Sequence, residues 1–337
     1  MRMLVIGGAR FSGRALCGLA LDAGHEVTMF HRGTGPEDPW PAAEHVHGDR
    51  HEGFGDLAGR SFDAVVDTCA FVPRDVEEAA DAFGDAGLAL FVSSLSAHID
   101  DVRAGATEDD DVYGPPFPET EEVTYETYGP LKVASEQALR ARYGDRALVV
   151  RPGYIVGPHD PTDRFTYWVR RAARGGEMLA PGPPEGPMQW IDARDLAAFM
   201  LALCERGVSG TFNVVTPPGR HTAGGLLELA RAEAGADTTF AWIDRAFAEE
   251  QGLLEDEDGD PMPMWTPQLP GFELFDTSRA QRAGLICRPL VETVRDTLRW
   301  DAERGAPWPM RAGLDDARER ELLAAWHAAA PVESGGP

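Results

Sequence analysis

The chain has 337 residues, 43% of them AVILMFWYC and 26% charged, with 31 basic against 56 acidic side chains and a formal net charge of −25. That length admits one large domain or a core domain with a smaller companion, and the composition excludes a disordered tail, a fibrous repeat and a disulfide scaffold. The excess of acid repels phosphodiester backbones and anionic lipid, so neither nucleic acid nor a membrane surface is an expected partner.

Met3, Leu4, Val5 and Ile6 form a short apolar run closed by Gly7, and residues 13–23 then carry apolar side chains at helical spacing before Gly24. The pattern predicts a strand, a tight turn and a helix. Further strands are predicted at 26–30, 62–67 and 88–93, with a helix at 76–83. Residues 99–126 break the alternation with ten Asp or Glu, one Arg and prolines at 115, 116 and 118. Such a stretch is expected to be a solvated excursion over an active site. A helix at 128–143, a strand at 147–151 and a turn-rich segment at 151–158 follow. Beyond it, helices at 163–174, 192–205 and 223–233 among short strands predict a smaller C-terminal region. Phe165 and Trp168, near Arg164, Arg170 and Arg171, are expected to form a pocket wall and a solvated face.

Strands alternating with helices imply an α/β fold, a Rossmann-type doubly wound parallel sheet with a smaller C-terminal substrate-binding region. The boundary is expected near residue 155: 1–155 form the sheet domain, with returns around 186–215, and 156–337 mainly bind substrate. The apolar run at 196–204 falls well short of the roughly 18–20 residues of a membrane span. Residues 3–6 lead into glycines rather than a cleavage site, and a cytoplasmic protein is expected. Cys17, Cys69, Cys204 and Cys287 include no CxxC pair and are read as buried thiols. In the acidic run 249–260, Asp256, Asp258 and Asp260 alternate as in a calcium loop. Pro261 and Pro267 stand where that loop needs glycine and a bidentate glutamate, so the reading fails.

The first strand ends in Gly7-Gly8-Ala9-Arg10-Phe11-Ser12-Gly13, directly before a helix. Glycines there let backbone approach a pyrophosphate and aim the helix N-terminal N–H groups at it. A fold of this kind that prefers NAD places an acid after the second strand, on the adenosine ribose. Here that place holds His31 and Arg32. An arginine beside it can pair with a 2′-phosphate, so NADP is favoured and NAD is the alternative. Arg10 is a second candidate phosphate partner.

Of the 31 basic residues only Lys132 is a lysine, and it stands four after Tyr128. Residues four apart share a helix face, and a cation beside a phenol stabilises the phenolate that acid–base work near neutral pH requires. Pro130 is tolerated in the first turn, where N–H groups have no intrahelical partner. Just beyond the apolar strand at 88–93 lies Ser94, where an open α/β sheet binds its ligands; it suits a hydrogen-bond donor to a substrate oxygen, or an ordinary turn cap. His45, His47 and His51 have a metal-like spacing, but Asp49 between them has another candidate role, and no metal is expected.

With these residues the chain resembles the extended and atypical short-chain dehydrogenase/reductases, the NAD-dependent epimerase/dehydratase family, over at least residues 1–198. The resemblance rests on the glycine loop, His47-Gly48-Asp49-Arg50, Asp67-Thr68-Cys69-Ala70, the set Ser94, Tyr128 and Lys132, Arg151-Pro152-Gly153 through Gly157-Pro158, and Gln189 through Asp195. It implies that Tyr128 is the general acid or base, that Lys132 binds the nicotinamide ribose and assists Tyr128, and that Ser94 orients the reacting oxygen. It also implies cofactor contacts from Gly7, Arg10, Phe11, Ser12, Gly13, Asp49, Arg50, Thr68, Ala70, Pro152 and Ile155. Arg10 replaces the usual second glycine, as in a Gly-Gly-x-Arg-Phe-x-Gly subgroup that includes chloroplast RNA-binding members. Tyr154 replaces the asparagine, and Ser94-Leu95-Ser96 the Thr-Asp-Glu run, typical of nucleotide-sugar enzymes.

The expected function is an NAD(P)-dependent reductase or dehydrogenase acting on a carbonyl or secondary alcohol of a small molecule. The alternatives are an NAD-dependent sugar epimerase with a transient keto intermediate and a non-catalytic cofactor- or RNA-binding member. Apolar helix faces at 76–83 and 134–139 offer a homodimer contact, as in the family's dimers.

Overall fold

The computed structural model describes residues 1–33, 40–115, 119–254, 260–269, 271–305 and 309–329. Asp256 and Asp258 of the rejected calcium loop, with Pro116 and Pro118, lie outside them. In chain order the elements are β1 (Arg2–Ile6), α1 (Phe11–Asp22), β2 (Glu26–His31), β3 (Glu44–His47), β4 (Ala64–Asp67), α2 (Pro73–Phe83), β5 (Leu88–Val92), α3 (Tyr125–Tyr143), β6 (Ala147–Pro152) and β7 (Tyr154–Val156). Then come α4 (Arg164–Ala173), β8 (Glu177–Pro181), β9 (Pro187–Met188), β10 (Trp190–Asp192), α5 (Ala193–Glu205), β11 (Gly210–Val214), β12 (His221–Thr222), α6 (Ala223–Ala234), β13 (Thr239–Ile243), α7 (Arg245–Glu250), α8 (Ser278–Arg282), α9 (Leu290–Glu303) and α10 (Asp316–Ala329).

The chain divides into two compact units. One comprises Met1–Ile155, Gln189–Pro218 and Leu274–Cys287; the other comprises Val156–Met188, Gly219–Glu273 and Arg288–Pro337.

The first unit is built on a seven-stranded sheet in the order β11-β6-β5-β4-β1-β2-β3. Each neighbouring pair is parallel, with Met3 beside both Val27 and Ala64, and Phe91 beside both Asp67 and Val149. A parallel sheet must be covered on both faces, and this explains why its strands read as continuous apolar runs. On one face Met3, Val5, Met29 and Leu90 pack with Leu16 and Cys17 of α1 and Leu196 and Met200 of α5. On the other, Leu4, Ile6, Val65 and Phe91 pack with Val76, Ala80 and Phe83 of α2 and Leu139 and Tyr143 of α3. The apolar faces at 76–83 and 134–139, expected to offer a homodimer contact, pack instead into this chain's own core. No helix of the described residues is long and apolar enough to cross a membrane. All four cysteines are free, and burial pushes the thiols of Cys17, Cys69 and Cys204 up to about 12.

Residues 99–126 are less solvated than their composition predicts. Val102, Ala106 and Glu108 are buried, the Gly105 amide donates to the Leu274 carbonyl at 2.7 Å, and the Glu108 carboxylate accepts from the Asn213 amide at 2.8 Å. Arg279 balances Glu108 at 3.3 Å. A core accepts an acid once it has a donor and a counter-charge, and composition alone does not reveal those.

In the second unit, β8 and β13 pair in parallel and α4 lies in the core. Phe165 and Trp168 are fully buried, and the Trp168 indole donates to the Pro263 carbonyl at 2.6 Å, so they are core residues rather than a pocket wall. Arg171, expected on a solvated face, is buried against Glu319 of α10 at 2.7 Å, and the same carboxylate accepts from the Leu179 amide at 3.2 Å.

Candidate active site

Carboxyl ends of parallel strands are where an open α/β sheet leaves room for a ligand. Here the cavity at the ends of β5 and β6 is lined by Ser12, Thr68, Phe71, Val92, Ser93, Ser94, Tyr128, Lys132, Pro152, Gly153 and Ile155. Of the residues read from the sequence as site candidates, Ser12, Thr68, Ser94, Tyr128, Lys132, Pro152 and Ile155 thus share one wall. Phe71, Val92, Ser93 and Gly153 were not anticipated.

The glycine turn sits beneath Thr68. Gly7 has φ +88, and a Cβ there would lie 2.7 Å from Thr68 Oγ1; a Cβ on Gly13 would lie 2.9 Å from the Gly7 carbonyl oxygen. Thr68 Oγ1 in turn donates to the Ile6 carbonyl at 2.9 Å. Phe11 also takes a positive φ, 42°, as α1 begins. Arg10 is the N-cap but makes no side-chain cap bond, and the first turn of α1 has no acid. Its leading N–H groups therefore keep the positive end of the helix for an anion. The tight turn that Gly7 and Gly13 permit, leading into a helix whose N-cap makes no side-chain bond, fits a dinucleotide pyrophosphate.

Lys132 is buried on α3. Its Nζ donates to the Ala70 carbonyl at 2.8 Å and to the Val92 carbonyl at 3.1 Å, tying α3 to the ends of β4 and β5. An ammonium has three N–H donors, so one is left for a ligand in the cavity it lines. Nζ stands 5.6 Å from the Tyr128 ring centroid, 4.9 Å from that of Phe71 and 4.8 Å from that of Phe91. The helix face brings Lys132 and Tyr128 together as the spacing predicts, but through the ring: no hydrogen bond joins Nζ to the phenol. α3 begins at Tyr125, three residues earlier than the periodicity indicates, because Thr124 caps it by accepting from the Thr127 amide at 3.3 Å. This sets Pro130 in the second turn.

Two serines follow β5, and the structure separates them. Ser93 is buried and donates to Glu136 Oε1 at 2.7 Å. Ser94 accepts from the Ser96 amide at 3.1 Å, so its own O–H remains to donate into the cavity. The turn that follows Ser94 packs closely on α3 because position 129 is glycine: a Cβ at Gly129 would lie 2.1 Å from the Ser96 carbonyl oxygen. Gly129 does not line the cavity; it sets how closely the turn after Ser94 packs on α3. Its only signal was a glycine inside an otherwise helical run.

Asp49, Arg50, His31 and Arg32 are not among the residues that line this cavity. Asp49 caps the short turn at 50–52, accepting from the His51 amide at 3.0 Å. Arg50 is buried: its guanidinium donates to Asp67 at 2.6 Å and to the Asp75 carbonyl at 2.8 Å. Asp67 accepts from the amides of Cys69 and Ala70, and Asp75 from those of Phe71 and Val72. Arg50 therefore holds the shape of loop 67–75, and with it the Ala70 carbonyl that Lys132 uses. Arg32 is exposed just past β2. His31 is buried and turned toward His45, 3.0 Å away, which leaves Arg32 as the phosphate candidate at that strand end.

The fold recurs in known proteins. The structure is similar to a UDP-glucose 4-epimerase from Thermotoga maritima, with TM-score 0.64, 19% identity, and 90% of this chain and 99% of that one covered. It is similar to a UDP-glucuronic acid 4-epimerase from Bacillus cereus in complex with NAD, with TM-score 0.64, 13% identity and coverage of 90% and 99%. A UDP-Glc/GlcNAc 4-epimerase from Campylobacter jejuni gives TM-score 0.65, 15% identity and the same coverage. No curated protein matches the chain in sequence. The family model for the NAD dependent epimerase/dehydratase family matches residues 3–215, which hold the glycine turn and every residue of the cavity. The chain belongs to the NAD-dependent epimerase/dehydratase family.

Proposed function

We propose that this protein is an NADP-dependent oxidoreductase that interconverts a carbonyl and a secondary alcohol on a small molecule. The observation that carries the reading is a cavity lined together by Tyr128, the donor-ready Ser94 hydroxyl and the anchored Lys132 ammonium. A nicotinamide dinucleotide whose pyrophosphate is held by the glycine turn at Gly7 and Gly13 would supply or take the hydride. Ser94 donates to the reacting oxygen and fixes its position, and Tyr128 gives or receives the proton on that oxygen. Lys132 uses its remaining N–H to hold the ribose and places its positive charge beside the Tyr128 ring. Such a positioned proton transfer is worth roughly 10² to 10⁴ in rate.

Arg32 after β2, with no acid at that strand end, favours a 2′-phosphate over a bare ribose. By family likeness the second unit selects the substrate, and a homodimer is the expected assembly. The solved neighbours named for 4-epimerase activity support a second reading, an epimerase that retains NAD and returns the hydride to the opposite face. One titration separates the two. After mass spectrometry for nucleotide carried through purification, NADPH and NADH are titrated into wild type and Arg32→Ala. Preferential NADPH binding, with NADPH weakened about 10-fold and NADH nearly unchanged in Arg32→Ala, supports the reductase. Resident NAD, or equal losses for both nucleotides, overturns it in favour of the epimerase.

A further inference from the structure

We propose that His31, His45 and His47 form a binding site for a divalent transition-metal ion of the zinc type, separate from the catalytic cavity. One ligand nitrogen from each ring lies within 4.8 Å of the others. The trio is not the one that sequence spacing offers: His51 turns away to Glu78 at 3.2 Å, and His31 takes its place. Strand register is the reason. Parallel pairing sets His31 opposite His47 and Met29 opposite His45, and side chains two apart on a strand share a face. The three imidazoles therefore collect on one face at the carboxyl ends of β2 and the edge strand β3.

The spacing suits an ion. His31 Nε2 and His45 Nδ1 are 3.0 Å apart, close to the roughly 3.3 Å between two nitrogens around a tetrahedral ion with bonds of about 2.0–2.1 Å. His45 is already oriented. Its Nε2 lies 2.9 Å from the Trp40 carbonyl, an acceptor only, so Nε2 carries the proton and the Nδ1 lone pair faces the cluster. A carbonyl on the far nitrogen is the arrangement that aims metal-bound histidines. Trp40 is itself fixed: its indole donates to the Arg14 carbonyl at 2.9 Å, and its ring fills the space beside Gly18, where a Cβ would lie 2.6 Å from it. Coordination through His31 Nε2 moves that ring's proton to Nδ1, so the 3.2 Å bond from the Gly33 amide must give way. Gly33, at φ +66, is a residue that can turn.

Three neutral imidazoles select zinc, copper, nickel or cobalt over magnesium or calcium, and leave a fourth position for water. His47 is exposed and His31 buried, so an ion can enter from solvent and, once bound, staples the four-residue edge strand to β2.

The test uses full-length protein without a histidine tag, stripped with chelator, and titrated with Zn²⁺ by calorimetry and with Co²⁺ by visible absorption. The expected result is one ion per chain with a tetrahedral cobalt spectrum. Binding should weaken about 100-fold or more in both His45→Ala and His47→Gln and stay unchanged in His51→Ala. Circular dichroism of the metal-free variants checks their folding, and His47→Gln, at an exposed position, keeps the test informative if His45→Ala misfolds. No stoichiometric binding, affinity undiminished in His47→Gln, or an equal loss in His51→Ala would overturn the site.

Discussion

Lys132 is tied into the structure by two hydrogen bonds, and the proposed function gives it a place in the chemistry as well. Replacing it with Met leaves the Ala70 and Val92 carbonyls without their donor, at a cost of about 1–3 kcal/mol, and removes the charge beside Tyr128. Lys132→Met is therefore expected to unfold cooperatively at a lower denaturant midpoint and, while folded, to turn over at least about 100-fold more slowly. Full turnover in the folded variant would confine Lys132 to the structural role. Gly129 works by what it lacks. In Gly129→Ala the new methyl meets the Ser96 carbonyl, so the turn bearing Ser94 must shift. The expectation is a loss of kcat larger than any loss of cofactor affinity, because the glycine turn at Gly7 and Gly13 is untouched. A variant with wild-type kcat would remove Ser94 placement from the account. At this scale the sequence was legible where local spacing decides: a lone lysine four after a tyrosine shares its helix face. It was silent where the role is steric, as at Gly129, or where partners lie far along the chain, as for Arg50 with Asp67 and Asp75.

Among the elements, α3 is fastened to the sheet by a buried charged chain. Glu136 is fully buried and accepts from Arg151 at 2.7 and 2.8 Å, from Ser93 at 2.7 Å and from Arg140 at 3.0 Å. Arg151 continues toward His98 at 3.4 Å; burial and that cation push His98 below its ordinary range. Burial alone would raise the Glu136 carboxyl, but the hydrogen bonds and charge of Arg151, with help from Ser93 and Arg140, hold it below the usual carboxylate value. A carboxyl lowered by folding contributes stability above its unfolded pKa, and that contribution drains away as pH falls through about 4.3 and below. Glu136→Gln should therefore cost about 3–5 kcal/mol at pH 7, since it strands Arg151. The gap to wild type, read from urea midpoints, should narrow between about pH 5 and pH 3. A constant gap across that window would show that the carboxylate's charge contributes nothing. Element type followed from local pattern, as strands and helices of the sheet unit show. The four-residue β3 did not, because an edge strand of Glu44, His45, Val46 and His47 has no apolar run to mark it.

The whole molecule carries a net charge of −25 and a sheet whose two faces are both covered by its own helices. Such a surface opposes a polyanion. A labelled single-stranded RNA is expected to show no salt-sensitive binding by fluorescence anisotropy at low ionic strength; affinity that falls steeply with added salt would restore the RNA-binding reading. The alternation of strand and helix, the glycine turn and the Tyr128–Lys132 spacing were determined by the sequence alone, because each depends on residues at most a few positions apart, where backbone geometry dictates what can meet. Only the tertiary structure decided which serine keeps a free hydroxyl, that the acidic stretch buries Glu108 with Arg279 as counter-charge, that Leu274–Cys287 returns to the sheet unit, and that His31 rather than His51 completes the histidine cluster. Those outcomes depend on strand register and on partners distant in the chain, and a local pattern carries no information about either.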